Sequence, residues 1–315
     1  MKICRAELDG DARTAIADPE NNRALVLRAG ISAVDALIAA DRGALEQGAE
    51  LHELSCIRML APIDPPSIRD FSVFEQHIEG IMLGEGRTVP DRWYESPFCY
   101  FSNPGAVNGP GTEVELPPGC RDLDFELEVA AIVGKAGRNI TPAEADGYIC
   151  GYTIFNDWSA RDLQTAEMRL GLGPCKGKDF ANTLGPWIVT ADELEQYRTG
   201  DRLDLDMRVR VNGRELGDDT LANMAWSFSE LISYASRGTW IRPGDVIASG
   251  TCGSGALLEI RGRHGGDGYP WLKPGDEVSL QVQGIGTLTN RVTAGADAVK
   301  LPPARPGRLR GRASA

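Results

Sequence analysis

Apolar and polar positions alternate most cleanly between Leu203 and Val211, where Leu203, Leu205, Met207, Val209 and Val211 are separated by Asp204, Asp206, Arg208 and Arg210. A period of two predicts a half-buried strand, and the Asn212-Gly213 that follows predicts a tight hairpin. Two related stretches, Arg242-Pro-Gly-Asp-Val-Ile247 and Lys273-Pro-Gly-Asp-Glu-Val278, set a Pro-Gly turn just ahead of an apolar run. Helical signals are short. They comprise Val34 to Ala40, Ser227 to Arg237 closed by Gly238, and a capping box with proline at the first helical position in Thr141-Pro142-Ala143-Glu144. Residues 1–62 read as a small N-terminal domain ending in a strand-like Ile57-Arg58-Met59-Leu60, and the prolines at 62, 65 and 66 mark its boundary. Residues 63–301 read as a β-rich α+β domain. Residues 302–315, with Arg305, Arg308, Arg310 and Arg312, read as a disordered, solvated tail.

Composition narrows the chemistry. The chain has 315 residues with 33 basic against 45 acidic side chains, so its net charge of −12 repels nucleic acid and anionic lipid. No apolar run approaches the roughly 20 residues of a membrane helix, and the opening Met1-Lys2-Ile3-Cys4-Arg5 carries no apolar leader. The seven cysteines (4, 56, 99, 120, 150, 175 and 252) are scattered without a Cys-x-x-Cys, as expected of reduced thiols in a cytoplasmic protein. Only His52, His77 and His264 are available as imidazole ligands. A bound metal would therefore be a hard ion held by carboxylates.

The segment Leu123-Asp124-Phe125-Glu126-Leu127-Glu128-Val129 supplies two such carboxylates. As a strand it places Phe125, Leu127 and Val129 on one face and Glu126 with Glu128 on the other. A solvated face is the ordinary reading of Glu-x-Glu; in an apolar setting the pair needs a neutralising cation. The next apolar run, Gly151 to Asp157, ends on an aspartate that is costly to bury alone. Arg161, Gln164 and Lys178 follow it, cationic and amide donors of the kind an anionic transition state requires. A plain Asp–Arg ion pair at a helix start is the simpler alternative.

At these residues the chain resembles the fumarylacetoacetate hydrolase family, from about Asp70 to about Val292. The resemblance is carried in order by Asp70-Phe71, His77, Glu126-Leu-Glu128, Asn156-Asp157-Trp-Ser-Ala-Arg161-Asp-x-Gln164, Gly177-Lys178-x-Phe180, Pro186-Trp187, Ser249-Gly250-Thr251 and Leu258-Glu259. It implies a catalytic domain of rolled mixed β-sheets, a homodimer, and a divalent metal in a central cleft. Asp70, Glu126, Glu128 and Asp157 are the implied ligands. Magnesium suits this donor set, and manganese or calcium is chemically acceptable. His77 oriented by Glu259 is the implied general base, with Arg161, Gln164 and Lys178 holding the oxyanion and the substrate carboxylate. Ser72, Tyr100, Met168 and Thr251 are the implied substrate contacts. His52 and His264 lie outside the motifs and read as structural.

The implied reaction is hydrolysis of the carbon–carbon bond in a 1,3-diketo acid, an acylpyruvate or a fumarylacetoacetate-like compound. Decarboxylation of a 2-oxo acid, enol–keto isomerisation and hydration of a 2-oxo-alkenoate use the same platform and form the alternative. A non-catalytic binding protein on the same scaffold is a third reading. Ser72, Gly84 and Met168 depart from the pattern of fumarylacetoacetases and imply a less anionic, bulkier distal substrate end. The polar stretch from Asp70 to Gly86 is expected as a mobile lid that brings His77 close when ligand binds.

Overall fold

Strands that are buried along nearly their whole length are covered on both faces, and Leu127–Val133, Ile149–Asp157 and Asn182–Thr190 are of this kind. The computed structural model, which describes residues 1–305, places them at the centre of a twelve-stranded mixed sheet. Ten strands run in the order Glu50–Glu53, Arg23–Val26, Asp11–Asp18, Lys2–Leu8, Asn182–Thr190, Ile149–Asp157, Leu127–Val133, Val246–Ala248, Ile68–Phe71 and Cys99–Ser102. Arg58–Leu60 adds to Lys2–Leu8, and Val107–Asn108 pairs with Asn182–Thr190. Pairing is antiparallel except for Val107–Asn108 with Asn182–Thr190 and Val246–Ala248 with Ile68–Phe71. The strands of the first sixty residues continue this sheet, joined to it by Lys2 opposite Val189 and Ile3 opposite Ile188.

Side chains of the central strands alternate between two cores. Val129, Ala131 and Val133 face one that also holds Met207, Val209, Leu280 and Leu288. Ala130 and Ile132 face a second core with Ile3, Leu37, Phe155 and Ile188. Each large aliphatic side chain so buried contributes about 1.5–3 kcal/mol, which fixes the register at Leu127, since a one-residue slip would exchange the two faces.

The first core is closed by a five-stranded sheet, in the order Arg214–Thr220, Asp206–Val211, Glu277–Val282, Gly286–Thr293 and Glu113–Glu115. The expected hairpin is present, with Asn212 and Gly213 in the left-handed region at φ 52° and 78°. The expected strand from Leu203 is divided. Arg202–Leu203 pairs with Arg198–Thr199, and Asp206–Val211 joins the larger sheet. The apolar alternation nonetheless persists, with Leu203, Leu205, Met207 and Val209 all buried. Both Pro-Gly segments form turns: Asp245 N donates to Arg242 O and Asp276 N to Lys273 O, each at 3.0 Å. Gly244 and Gly275 take the positive φ such turns need.

Short helices begin where capping residues stand. Ser227 and Glu230 cap Phe228–Ala235, and Thr141 with Glu144 caps Pro142–Ala145. The expected helix near Val34 spans Ala33–Ile38. No helix among the described residues is long and apolar enough to cross a membrane. Of the tail expected at residues 302–315, positions 306–315 lie outside the described residues.

Candidate active site

Strand ends carry the carboxylates. Asp70 lies on Ile68–Phe71, opposite Ala248 on one side and Tyr100 on the other. Glu128 faces Phe155 across the central pair, and Asp157 closes the Ile149–Asp157 strand. Glu126, just ahead of Leu127, bridges to Ala256. Solvent reaches little of any of them: Asp70 is 1%, Glu126 5%, Glu128 1% and Asp157 0% exposed. One oxygen from each lies within 4.8 Å of the others. Glu126 and Glu128 thus project inward rather than onto a solvated strand face.

Such a cluster cannot be fully ionised without compensation. Lys178 Nζ contacts Glu126 Oε2 at 2.5 Å and also bonds Asp157, while Arg161 Nη2 reaches Glu126 Oε1 at 2.6 Å. Burial acts to raise Glu126, but Lys178, Arg161 and His77 outweigh it and hold that carboxyl well below its ordinary range. The other three go the opposite way. Burial pushes Glu128 well up, reinforced by Asp70, Glu126 and Asp157. Burial likewise raises Asp157 and Asp70 despite Lys178. Asp70 Oδ1 and Asp157 Oδ1 are buried with no hydrogen-bond partner. Oxygen-only donors, orphaned carboxylate oxygens and an excess of negative charge together suit a hard divalent cation.

Two helices cover the cluster. Glu75–Gly84 carries His77 and Leu257–His264 carries Glu259. His77 Nδ1 lies 3.1 Å from Glu259 Oε2, and His77 Nε2 lies 3.9 Å from Glu126 Oε1. With Nδ1–H donating to the carboxylate, a neutral ring keeps its free lone pair on Nε2, which faces the cluster. Of the stretch expected as a lid, Asp70 and Phe71 end a buried strand and Glu75–Gly84 is a helix that holds His77 at the cluster. Glycines allow the approach: a Cβ on Gly84 would stand 2.9 Å from Gly262 Cα, and one on Gly80 would collide with the Glu259 side chain. Gly84, read from sequence as altering the substrate end, is a packing glycine between helices.

The remaining expected residues divide by position. Thr251 Oγ1 lies 3.4 Å from Glu128 Oε1, and Gly250 N donates to Glu128 Oε2 at 3.1 Å. Tyr100 donates to Asp70 Oδ2 at 2.9 Å and also bonds Asp157, so its hydroxyl engages the carboxylates themselves. Gln164 Oε1 accepts from Arg161 Nη1 at 3.1 Å. Ser72 is half-buried, two residues beyond Asp70, and its carbonyl accepts from Trp93 Nε1. Met168 stands apart, at the far end of the Arg161–Met168 helix and exposed.

Two contributors were not singled out from sequence. Arg263 Nε meets Glu259 Oε1 at 3.2 Å, pinning the oxygen that His77 does not use. Its signal was an acid–base pair four residues apart on a helix. Asp124 is buried against Arg161, and its signal was the extension of the Glu126–Glu128 alternation by one step.

The chain is similar in sequence and in fold to known proteins. The oxaloacetate tautomerase of Bacillus subtilis is 31% identical over 252 residues, covering 78% of this chain and 77% of that protein. The fumarylacetoacetase of Arabidopsis thaliana is 27% identical over 305 residues, covering 76% and 72%. Among solved structures, fumarylacetoacetate hydrolase from psychrophilic Exiguobacterium antarcticum superposes with a TM-score of 0.74 at 28% identity, covering 94% of this chain and all of that one. Residues 68–293, which contain every carboxylate and both helices of the site, match the family described as fumarylacetoacetate (FAA) hydrolase, C-terminal. The chain belongs to the fumarylacetoacetate hydrolase family.

Proposed function

We propose that the protein is a divalent-metal-dependent hydrolase that cleaves the carbon–carbon bond of a 1,3-diketo acid of the acylpyruvate or fumarylacetoacetate-like class. The observation that carries this reading is an imidazole held at 3.1 Å by Glu259 with its other nitrogen turned towards four converging carboxylates. Asp70, Glu126, Glu128 and Asp157 would hold the ion. Magnesium, manganese or calcium bound there would polarise the substrate carbonyl and offset the charge that develops on its oxygens.

His77 Nε2 takes a proton from water as the water oxygen bonds to the distal carbonyl carbon. Glu259 holds the resulting imidazolium in place, and Arg263 holds Glu259. Arg161, Lys178 and Gln164 stabilise the tetrahedral oxyanion and the substrate carboxylate. The carbon–carbon bond then breaks, its electron pair leaves with the 2-oxo acid or acetoacetate-like fragment, and the proton taken up by His77 passes to the carbon of that fragment. The products are a carboxylic acid and either a 2-oxo acid, from an acylpyruvate, or an acetoacetate-like acid, from a fumarylacetoacetate-like compound. Thr251 and Ser72 line the approach, and Met168 would meet substrate only at its outer end.

Assay of an acylpyruvate panel with magnesium or manganese, following diketone absorbance, tests the reading. Turnover that disappears in His77→Ala while manganese binding persists is the expected result; unchanged turnover in that variant opposes it. A second reading, enol–keto isomerisation of a 2-oxo acid, is favoured by the 31% identity to an oxaloacetate tautomerase. It needs the same proton transfer at His77 but no attacking water. Loss of the oxaloacetate enol absorbance without acylpyruvate cleavage would select it.

A further inference from the structure

Asp124 accepts more hydrogen bonds than any carboxylate of the cluster, yet stands outside it. The short strand Leu123–Asp124 pairs with Ser159–Ala160, which sets Asp124 beside the start of the Arg161 helix. Asp124 Oδ2 accepts from Arg161 Nε at 2.8 Å and lies 2.7 Å from Arg161 Nη2. The same carboxylate turns to a different helix: Leu257 N donates to Oδ1 at 2.7 Å and Leu258 N to Oδ2 at 2.9 Å. Phe125 N adds a further bond to Oδ1 at 2.8 Å.

These partners serve different parts of the chemistry. The helix beginning at Leu257 carries Glu259 two residues later, and its own N-cap residue, Ala256, has no side-chain acceptor. Asp124 supplies that cap from more than a hundred residues away. For the other partner, the grip on Nε and Nη2 fixes the guanidinium plane, leaving Arg161 to reach Glu126 through Nη2 and Gln164 through Nη1. We propose that Asp124 is a positioning residue that locks the Arg161 guanidinium and the Glu259 helix into one frame, so that the oxyanion-binding and proton-transferring groups are set relative to each other. The proposal rests on the hydrolytic reading above for its activity arm and on the geometry alone for its binding arm.

Asparagine matches the shape of aspartate but cannot serve both partners. Whichever way its amide turns, its NH2 meets either the helix N–H groups or the guanidinium, donor against donor. Asp124→Asn is therefore expected to lower kcat/KM for the best acylpyruvate by about 10–100-fold, while manganese affinity stays within about threefold of wild type. Oxalate, a dianion that chelates a metal as a 2-oxo acid would, should bind the manganese-loaded variant about tenfold or more weakly.

Introducing Asp124→Asn into Arg161→Lys separates positioning from mere stability. If Asp124 acts through Arg161, the second substitution changes oxalate affinity by less than about threefold in that background; a purely structural role gives multiplying losses and overturns the proposal. Asp124→Ser keeps an acceptor for the helix but none for the guanidinium, and gives the same separation should the asparagine variant not fold. If the wild type cleaves no diketo acid, the hydrolytic reading fails, and the oxalate measurements still decide the role of Asp124. Unchanged oxalate affinity in folded Asp124→Asn overturns it.

Discussion

Asp70, Glu128 and Asp157 sit within buried strands and Glu126 just ahead of one, held by the Gly250 N–H, Tyr100, Lys178 and Arg161. The outer part of the same region is built quite differently. Met168, at the end of the Arg161–Met168 helix, and Leu170 and Leu172, on the loop after it, stand 57%, 75% and 74% exposed, and Gly171 and Gly173 of that loop take positive φ. The base of that loop is fastened by Glu167 accepting from the N–H groups of Cys175, Lys176 and Gly177. Charges placed in the interior require many partners and so become rigid, whereas apolar side chains left in solvent make no such demand. On the proposed function, the inner wall would serve a fixed reaction and the outer loop would allow variation in what is bound.

The largest expected effect lies on the inner side. His77→Ala should reduce turnover by about 10²–10⁴-fold, the range for loss of a general acid–base group. Calorimetric titration with manganese should show the ion still binding, since His77 is not among the four carboxylates.

Metal addition comes next. Burial raises Asp70, Glu128 and Asp157, so they hold protons in the metal-free fold more tightly than the unfolded chain does. Their contribution to stability is present at low pH and is lost as pH rises through the raised values. An ion takes the place of those protons. Magnesium at a hundred times its Kd should stabilise the fold by about 2.7 kcal/mol, and a fixed ion concentration should raise Tm more at pH 8 than at pH 6. An equal rise at both, read by differential scanning calorimetry, would oppose the account.

A smaller effect follows from the helix crossing. Gly84→Ala forces apart backbones whose separation leaves no room for a methyl group, at a cost of about 1–3 kcal/mol. His77 should shift from the cluster, and kcat should fall more than manganese affinity. The smallest effect belongs to the outer loop, where Leu172→Ser should change stability by no more than about 0.5 kcal/mol. A change in KM that depends on the length of the acyl chain would show that this loop contacts substrate.

The same contrast governs what could be read from the sequence. Signals that act over a few residues are borne out in the structure: the Asn212-Gly213 hairpin, the two Pro-Gly turns, and the caps at Thr141 and Ser227. Glu126, Glu128 and Asp157 stand out as acids beside apolar strand residues, but a solvated face is the ordinary reading of the glutamate pair, and only the family resemblance joins Asp70 to them. Partner choice between distant segments was not legible. Nothing local to Lys2 announces that it pairs beside Val189, and nothing local to Gly80 or Gly84 announces the helix they meet. Asp124 was hidden for the same reason, since the backbone it caps lies across the fold.

Anomalous diffraction from crystals soaked in manganese tests the central claim most directly. The account expects one strong peak enclosed by Asp70, Glu126, Glu128 and Asp157, about 2.1 Å from their oxygens. A peak elsewhere, or none between these carboxylates at saturating ion, would contradict it.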